Sequence, residues 1–380
     1  MKKTIVVISM FTYTEYIKGI SNTNSHVFGW LKQKNPNANI IFADFNRIGF
    51  INRLKYLIKF VLLNNPVQKV FYTFTNQLEK IDNNIFAYHG LDYGLLFNYL
   101  AQENTEVEVW CFNPFFNPKK IKSQFKYFYT IDDWRKNKVF IKFSDKLKQR
   151  YRQIPDEYNK VFINNESLKD KLYPQASNIH FIPNGVDTRH FENYENTAPA
   201  IKKKIDHLID TDKPIVGYMG VISPDRVDYD LCHHLVRTHS NYQFIFAGPV
   251  LPGFDADSLQ TQYKNINFIG TVFFDEFPYL YHRFDVCIIP HLVNEFIQSM
   301  DPKKMYEYMA AGKPIVTTPV SGTDKFSEYI QIAKNKEDFA SAITFALEQD
   351  NQQLISQRIK IARQHDWSVR FAQIDRIISA

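Results

Sequence analysis

The stretch DPKKMYEYMAAGKP, residues 301–314, decides the fold, because it marks both ends of a helix and leads into an apolar strand. Asp301 and Pro302 are typical of a helix start, since the carboxylate can cap free backbone N–H groups and proline fits the first helical position. Gly312 favours the left-handed backbone that closes a helix, and Pro314 prevents its continuation. The order of these elements indicates an α/β fold.

Two side chains of the predicted helix are candidates for ligand binding. Lys304 and Glu307 are three residues apart, so they lie on one face within about a turn of the N-terminus. A cation beside free backbone N–H groups favours a phosphate, and a carboxylate one turn deeper could hold a sugar diol. The alternative is an ordinary surface pair, because Lys/Glu pairs at this spacing are common.

The rest of the chain predicts an α/β protein with two parallel sheets. Its 380 residues, 44% apolar and 23% charged, suffice for two globular domains. Short runs rich in Val, Ile and Phe alternate with helix-length segments, as in sheets with crossover helices. The strand candidates are residues 5–9, 39–43, 70–74, 85–88, 107–111, 125–130, 161–165, 180–183, 214–219, 242–247, 266–269, 286–289 and 314–317.

Charge is distributed unevenly along the chain. Through residue 185 there are 26 Lys and Arg against 15 Asp and Glu, whereas the remainder has 20 against 25. The first half therefore suits a negative partner. Residues 50–63 have helical periodicity with cations on one face, and further basic clusters lie at 119–126 and 135–152. An anionic membrane surface is one candidate partner, and the alternative is an amphipathic helix packed on a sheet. No nucleic-acid-binding motif accompanies the basic residues.

Cysteine use and the N-terminus indicate a cytoplasmic protein. Cys111, Cys232 and Cys287 lie far apart in apolar contexts, which predicts buried thiols in a reducing compartment. The apolar run after Met1 is short and predicts a first strand rather than a leader. No run approaches the roughly 18 apolar residues that cross a bilayer. We therefore expect a cytoplasmic protein, with peripheral attachment to the inner face of the cell membrane as an option.

Several strands of the second half end in residues suited to ligand binding. Gly220 and Gly248 each follow a predicted strand, where glycine lets the backbone approach a phosphate. A third strand, 286–289, leads through the loop 291–300 into the helix of residues 301–314. Ligands of doubly wound sheets bind at the carboxyl ends of the strands, so this loop is expected to border a pocket.

Four segments then resemble the nucleotide-binding domain of GT-B glycosyltransferases. They are FIPNGVD at 181–187, GYMG with RVDYDL at 217–231, FAGP at 246–249 and PKKMYEYMAAGKP at 302–314. The resemblance covers roughly residues 160 to 320. It is greatest to bacterial polysaccharide enzymes of the family 4 type and the related glucuronosyltransferase group, and it implies two Rossmann-like domains facing a cleft.

The resemblance also assigns roles in donor binding. In that family the Glu at position 307 holds the ribose hydroxyls and the Lys at position 304 approaches the phosphates. Ser299 departs from the family pattern, because many members have there a Glu that contacts the donor sugar. Arg226 either substitutes for the basic residues that often follow the Gly220 region or lies on the surface. His291 borders the pocket, where packing is the default role.

The first half resembles the glucuronosyltransferase group less closely, in WCFNP at 110–114 and YTIDDW at 129–134. Asp132 and Asp133 follow a strand, and a carboxylate there could take the proton from an acceptor hydroxyl. The alternative is that one of them caps the next helix. His89 also ends a predicted strand. It could act as a base, bind the donor or be a structural histidine.

No cofactor or metal is expected. The D-x-D pattern at 255–257 lies in a loop that suits a solvated turn, and no cluster has metal-ligand spacing. Lys304 and the helix dipole would balance the phosphate charge.

The resemblance predicts an acceptor-binding domain at 1–185, a nucleotide-sugar-binding domain at 186–364, and a helix at 365–380 that crosses back to the first domain. The predicted activity is transfer of a hexose-type sugar from a UDP-linked donor to a glycan or lipid-linked acceptor, in capsule, lipopolysaccharide or similar surface polysaccharide synthesis. The alternatives are a nucleotide-sugar epimerase of the same fold and a non-catalytic nucleotide-sugar-binding partner of another transferase.

Overall fold

The computed structural model describes residues 3–44, 78–89, 93–102, 105–209 and 212–380. Two compact units are present: Met1–Ile131 with Lys142–Phe181, and Asp132–Ile141 with Ile182–Ala380. Each unit contains one sheet with parallel pairing and helices between its strands. The predicted α/β class with two Rossmann-like domains is confirmed.

The sheet of the first unit has eight strands in the order β3-β4-β2-β1-β5-β6-β7-β8, and only β3 pairs antiparallel with its neighbour among the described strands. The strands are β1 (Lys3–Ile8), β2 (Asn39–Ala43), β3 (Leu78–Lys80), β4 (Ile85–Tyr88), β5 (Glu106–Cys111), β6 (Phe125–Thr130), β7 (Lys160–Ile163) and β8 (Ile179–Phe181). The described helices are α1 (Tyr13–Ile17), α2 (Thr23–Lys34), α3 (Gly94–Gln102), α4 (Ser144–Glu157) and α5 (Ser167–Leu172). The predicted strand at 70–74 lies outside the described residues, as does the predicted amphipathic helix at 50–63.

The sheet of the second unit has six parallel strands in the order β11-β10-β9-β12-β13-β14. They are β9 (Ile215–Met219), β10 (Gln243–Ala247), β11 (Ile266–Gly270), β12 (Val286–Ile289), β13 (Ile315–Thr317) and β14 (Gln331–Ile332). The described helices are α6 (Thr188–Glu192), α7 (Pro199–Leu208), α8 (Tyr229–Thr238), α9 (Ala256–Gln262), α10 (Phe277–Arg283), α11 (Lys303–Ala310), α12 (Lys336–Gln349), α13 (Gln352–Gln364) and α14 (Trp367–Ser379).

Alternate side chains of β9 enter two cores, which is why the strand is buried along its whole length. Met219 packs on the face that also receives Met305 and Met309 of α11. Tyr218 packs on the opposite face with Leu235 of α8. Burying side chains of this size stabilises by roughly 1.5–3 kcal/mol each. These contacts fix α11 against the carboxyl half of the sheet and so position the polar residues of that helix.

The functional domain limits predicted from the sequence stay a prediction. Contacts assign the C-terminal helix α14 to the second unit, where Asp366 caps it by accepting a hydrogen bond from the Ser368 N–H at 2.9 Å. The predicted crossing of this helix to the first domain also stays a prediction. The three free cysteines are buried, as expected. Among the described residues no helix is long and apolar enough to cross a membrane.

Candidate functional site

The helix α11 begins at Lys303, two residues after Asp301, the predicted cap. Pro302 occupies the N-cap position, and no side chain caps the helix. The prediction that Asp301 is the cap is wrong, because its carboxylate accepts hydrogen bonds from the Asn184 N–H at 2.6 Å and the Tyr306 hydroxyl at 2.9 Å. No side chain caps the first N–H groups of α11, so these groups can donate hydrogen bonds to an anion.

The end of α11 is as predicted. Gly312 has φ of +71°. Its N–H donates to the Met309 carbonyl, and the Lys313 N–H donates to the Tyr308 carbonyl at 3.0 Å. This pair of bonds is the Schellman closure, which needs the left-handed backbone that glycine adopts without strain.

Lys304 is a half-buried cation in basic surroundings. Its Nζ lies 3.3 Å from Nε2 of His291 and 5.2 Å from the centroid of the Tyr218 ring. Burial and the nearby Arg226 guanidinium lower the pKa of Lys304 to about 7, although Glu307 acts in the opposite direction. A buried ammonium group in such surroundings is stabilised by an incoming anion.

Glu307 is buried one turn further along α11. One carboxylate oxygen accepts the Tyr281 hydroxyl at 3.1 Å, and the other lies 3.1 Å from Nζ of Lys303. The ion-pair partner of Glu307 is thus Lys303, at the i,i+4 spacing that favours such pairs on a helix. This spacing was visible in the sequence, and it leaves Lys304 directed toward His291.

His291, in the loop after β12, is buried and neutral near pH 7. Burial, followed by the charges of Lys304 and Arg226, holds its pKa well below the usual range. Its Nε2 lies 3.2 Å from the Tyr218 hydroxyl as well as near Lys304. The structure therefore places His291 beside Lys304 and Tyr218, while its position at a pocket edge and its role toward a ligand stay predictions.

Gly220 and Gly248 bring two strand ends together beside Lys304. Their φ angles are +145° and +136°. A Cβ on Gly248 would lie 2.0 Å from the Gly220 carbonyl oxygen, and a Cβ on Gly220 would lie 3.1 Å from Cε of Lys304. Both positions favour glycine because of their positive φ, and neither places a side chain between the backbone and a ligand.

Arg226 belongs to the same group, contrary to the alternative of a surface position. Its side chain is half-buried, and its Nε is buried without a hydrogen-bond partner among the described residues. Its backbone carbonyl accepts the Leu292 N–H at 2.8 Å, and Val227 pairs with His291. The loops after β9 and β12 are thus joined, which is a long-range feature that the sequence did not reveal.

The two candidate aspartates have different surroundings in the second unit. No helix begins at Trp134, so the helix-cap alternative is wrong. Both carboxylate oxygens of Asp133 bind Arg135, whose Nε and Nη2 donate at 2.8 and 2.7 Å. Burial raises the pKa of Asp132 to about 7; Arg226 lowers it, and Asp133 raises it further. Asp132 therefore exchanges a proton near neutral pH.

Ser299 has no exposed surface. Its hydroxyl donates to the Phe296 carbonyl at 2.6 Å and accepts the Asp133 N–H at 3.1 Å. Both interactions are made with protein groups, so contact between this hydroxyl and a donor sugar stays a prediction that the hydrogen bonds do not favour.

His89 lies in the first unit at the end of β4. Its Nδ1 is 2.6 Å from Asp44 and its Nε2 is 2.8 Å from Glu79. Burial lowers the pKa of His89, but the two carboxylates outweigh this effect and the net pKa is raised. Both ring nitrogens are occupied, which favours the structural alternative over a free base. Asp44 directly follows β2, so its strand-end position was a signal that the sequence analysis missed.

A cavity of about 470 Å³ lies at the carboxyl ends of β10 and β11. Its wall includes Gly248, Phe254, Asp257, Phe268 and Gly270. Asp255 caps α9 by accepting the Ser258 N–H at 3.1 Å, so the D-x-D pattern belongs to a helix start. The described residues contain no group of three or more His, Cys, Asp or Glu that could hold a metal ion.

Comparison with known proteins gives the class. Residues 213–349 match the family "Glycosyl transferases group 1", and the second unit therefore contains a domain of that family. Solved structures show the fold of the whole chain. Sucrose-phosphate synthase from Thermosynechococcus elongatus superposes with a TM-score of 0.70 and 14% identity, covering 99% of this chain and 98% of that one. The whole chain thus has the GT-B fold, and residues 213–349 match the group 1 glycosyltransferase family.

Two further similarities are to a polysaccharide-related protein and to a structure with a bound nucleotide. A curated relative, the "Putative teichuronic acid biosynthesis glycosyltransferase TuaH" of Bacillus subtilis (strain 168), is 26% identical over 216 residues. That match covers 55% of this chain and 53% of the relative, about half its length. Anabaena HepE in complex with UDP and glucose has a TM-score of 0.66 and 15% identity, covering 100% of both chains. HepE has also been solved with UDP-glucose.

Proposed function

We propose that the protein is a glycosyltransferase that moves a hexose from a UDP-linked donor to a glycan or lipid-linked acceptor of a bacterial surface polysaccharide. The observation that carries this proposal is the convergence of Gly220, Arg226, His291 and Lys304 at the uncapped start of α11. The similarity to TuaH supports the polysaccharide setting, and the similarity to HepE, which was solved with UDP and with UDP-glucose, supports the UDP donor.

The charges of this group suit a diphosphate. Lys304 and Arg226 each lower the pKa values of neighbouring groups, so two cations act on one small volume. A diphosphate would relieve this repulsion and could accept hydrogen bonds from N–H groups at the start of α11, which no side chain caps. These groups can balance the diphosphate charge, so we infer a metal-independent reaction.

The remaining parts of the donor can be arranged around this centre. The carboxylate of Glu307, one turn into α11, is the candidate for the ribose hydroxyls. The cavity beside Gly248 has a volume within the usual range for small-molecule sites, and we assign the nucleoside base to it. Gly248 touches Gly220, which in turn approaches Lys304, so base and phosphate positions are contiguous.

Proton transfer is assigned to Asp132. Asp133 is held by Arg135 and His89 by two carboxylates, whereas Asp132 has a pKa near neutrality. A general base is most effective when its pKa lies near the working pH. Asp132 would accept the proton of the acceptor hydroxyl as that oxygen forms its bond to the anomeric carbon and the nucleoside diphosphate leaves.

Calorimetric titration with UDP-glucose tests the donor assignment. Glu307→Ala should weaken binding at least tenfold, because the ribose loses its carboxylate and Lys303 loses its partner. Glu337→Ala, an exposed glutamate at the start of α12, is the matched control and should bind like the wild type. Equal affinity of Glu307→Ala and wild type would refute the assignment.

A non-catalytic nucleotide-sugar-binding partner is the second candidate, and the occupied hydroxyl of Ser299 is what favours it. In that case UDP-glucose would bind, and Glu307→Ala would weaken it, yet no sugar would be transferred to a panel of glycan and polyprenyl-linked acceptors. Transfer of sugar to any acceptor would exclude a non-catalytic role.

A further inference from the structure

Ten residues between β6 and α4 belong to the second unit rather than to the first. We call Asp132–Ile141 the inserted segment. It contacts the two loops that flank the candidate site. One follows β9 and contains Pro224 and Arg226, and the other follows β12 and contains Glu295 and Ser299.

The attachments of the inserted segment differ in burial. Lys136 pairs with Glu295 at 2.5 Å, but their side chains are 43% and 75% exposed, and such surface pairs contribute little. Lys138 donates to the Pro224 carbonyl at 3.4 Å, also at the surface.

The hydrogen bond from the Asp133 N–H to Ser299 is buried. It lies beside the apolar contact of the Trp134 and Phe296 rings, whose centroids are 6.3 Å apart. Inside a protein, loss of one partner leaves the other polar group unpaired at a cost of about 1–3 kcal/mol. The Ser299 contact is therefore the attachment whose removal is most expected to move the segment.

Asp132 is the neighbour of the residue that Ser299 binds. The charged groups that act on its carboxyl are Arg226, Asp133 and Asp301. Asp133 is neutralised by Arg135, and Asp301 lies near Lys325 and Arg370. Arg226 comes from the loop after β9, which the inserted segment also contacts through Lys138, so fixing the backbone at Asp133 limits how far Asp132 can move relative to that loop.

We propose that Ser299 is a positioning residue, whose hydroxyl anchors the inserted segment at Asp133 and so holds the half-buried Asp132, the preceding residue, in place, ready to exchange the proton of the transfer reaction. The last clause rests on the proposed function, whereas the positioning itself does not.

The chemistry of position 299 supports this role. A hydroxyl can donate to the Phe296 carbonyl and accept the Asp133 N–H at the same time. An ionised glutamate could only accept, and it would add a buried negative charge close to the inserted segment. The family's glutamate and this chain's serine are therefore suited to different tasks.

Infrared difference titration of the full chain tests the positioning directly. The carboxylic C=O band that is present in the wild type and absent in Asp132→Asn reports the protonation of Asp132. Its midpoint should lie near pH 7 in the wild type. In Ser299→Ala we expect it to fall by about two pH units or more, toward the value of a hydrated aspartate. Ser299→Thr, which keeps the hydroxyl, should stay near the wild type.

The matched control is Ser341→Ala, which removes an exposed hydroxyl that donates to the Glu337 carbonyl. It should leave the midpoint unchanged. A Ser299→Ala midpoint equal to the wild type, in a protein that is folded by circular dichroism, overturns the proposal. So does an equal shift in Ser299→Ala and Ser299→Thr, because the hydroxyl would then not be the cause.

The release of UDP from UDP-glucose, with water as acceptor, separates this proposal from the proposed function. Wild-type kcat should rise as pH passes through about 7, and Ser299→Ala should lower kcat about tenfold or more while KM changes less than threefold. If the infrared midpoint shifts but the wild type neither releases UDP in water nor transfers sugar to the panel of glycan and polyprenyl-linked acceptors, the positioning stands and the proposed function fails. If UDP is released and kcat of Ser299→Ala is unchanged, the catalytic part of the proposal fails.

Discussion

Each unit contains a basic side chain that is shielded from water, His89 buried and Lys304 half-buried, and the two have opposite electrostatic surroundings. His89 in the first unit lies between two carboxylates, at 2.6 and 2.8 Å. Lys304 in the second unit faces a neutral imidazole, with the Arg226 charge nearby. The pKa of His89 is raised and that of Lys304 is lowered to about 7. The first cation is compensated inside the protein, and the second is not.

This difference separates a structural charge from a binding charge. A buried ion that is paired on both sides stabilises its surroundings and has nothing to offer a ligand. A buried cation whose charged form is disfavoured gains free energy when an anion arrives, which is why perturbed pKa values cluster at functional sites. Three measurements test whether His89 is a structural charge and Lys304 a binding charge.

Removing the compensated charge should have the largest effect, on stability. In His89→Gln the carboxylates of Asp44 and Glu79 remain buried without their cation, and we expect the free energy of unfolding of the first unit to fall by about 3 kcal/mol. Hydrogen exchange of the β4 amides measures this loss. UDP-glucose affinity should not change. His207→Gln, an exposed histidine of α7, is the control. A tenfold loss of UDP-glucose affinity in folded His89→Gln would assign His89 to the donor site instead.

Removing the uncompensated charge should have the next largest effect, on binding. Lys304→Gln should weaken UDP-glucose about 100-fold, because charge-assisted hydrogen bonds contribute about 1.5–3 kcal/mol each. Its unfolding free energy should not fall, since a disfavoured buried charge is removed. Lys336→Gln at the exposed start of α12 should bind like the wild type. A Lys304→Gln variant that is destabilised but binds normally would make Lys304 a structural residue.

The sequence was sufficient for the features that depend on neighbours along the chain. The end of α11 at Gly312 follows from glycine and proline alone. Five of the six strands of the second sheet follow from apolar runs between helix-length segments, and the two-residue β14 was missed. The edge strand β3 (LEK) was missed because it is three residues long and partly exposed, so it has no apolar signature.

The errors at the candidate site have a common physical cause, which is a partner distant in sequence. Asp301 does not cap α11 because Asn184, 117 positions earlier, takes its carboxylate. Arg226 reaches the site because its loop is joined to Leu292. The inserted segment binds Ser299 across 166 positions. Local propensity carries no information on such contacts, so the candidate residues were predictable and their pairings were not.

The smallest expected effect is that the stabilities of the two units change in opposite directions as pH rises. His89 has a raised pKa, so the stability it contributes is complete below its usual pKa of about 6.5 and is lost as pH rises through the raised value. Lys304 has a lowered pKa, so the unfolded chain binds its proton up to about pH 10 and stability rises with pH above about 7. One proton corresponds to about 1.4 kcal/mol per pH unit at most.

Hydrogen exchange between pH 7 and 8, corrected for intrinsic rates, should show falling opening free energies at β4 and rising ones at β12. Each trend should vanish in its own variant, His89→Gln or Lys304→Gln, and persist in the other. Trends that survive both substitutions would show that other groups set the pH dependence, and that the contrast between the two cations has no energetic weight.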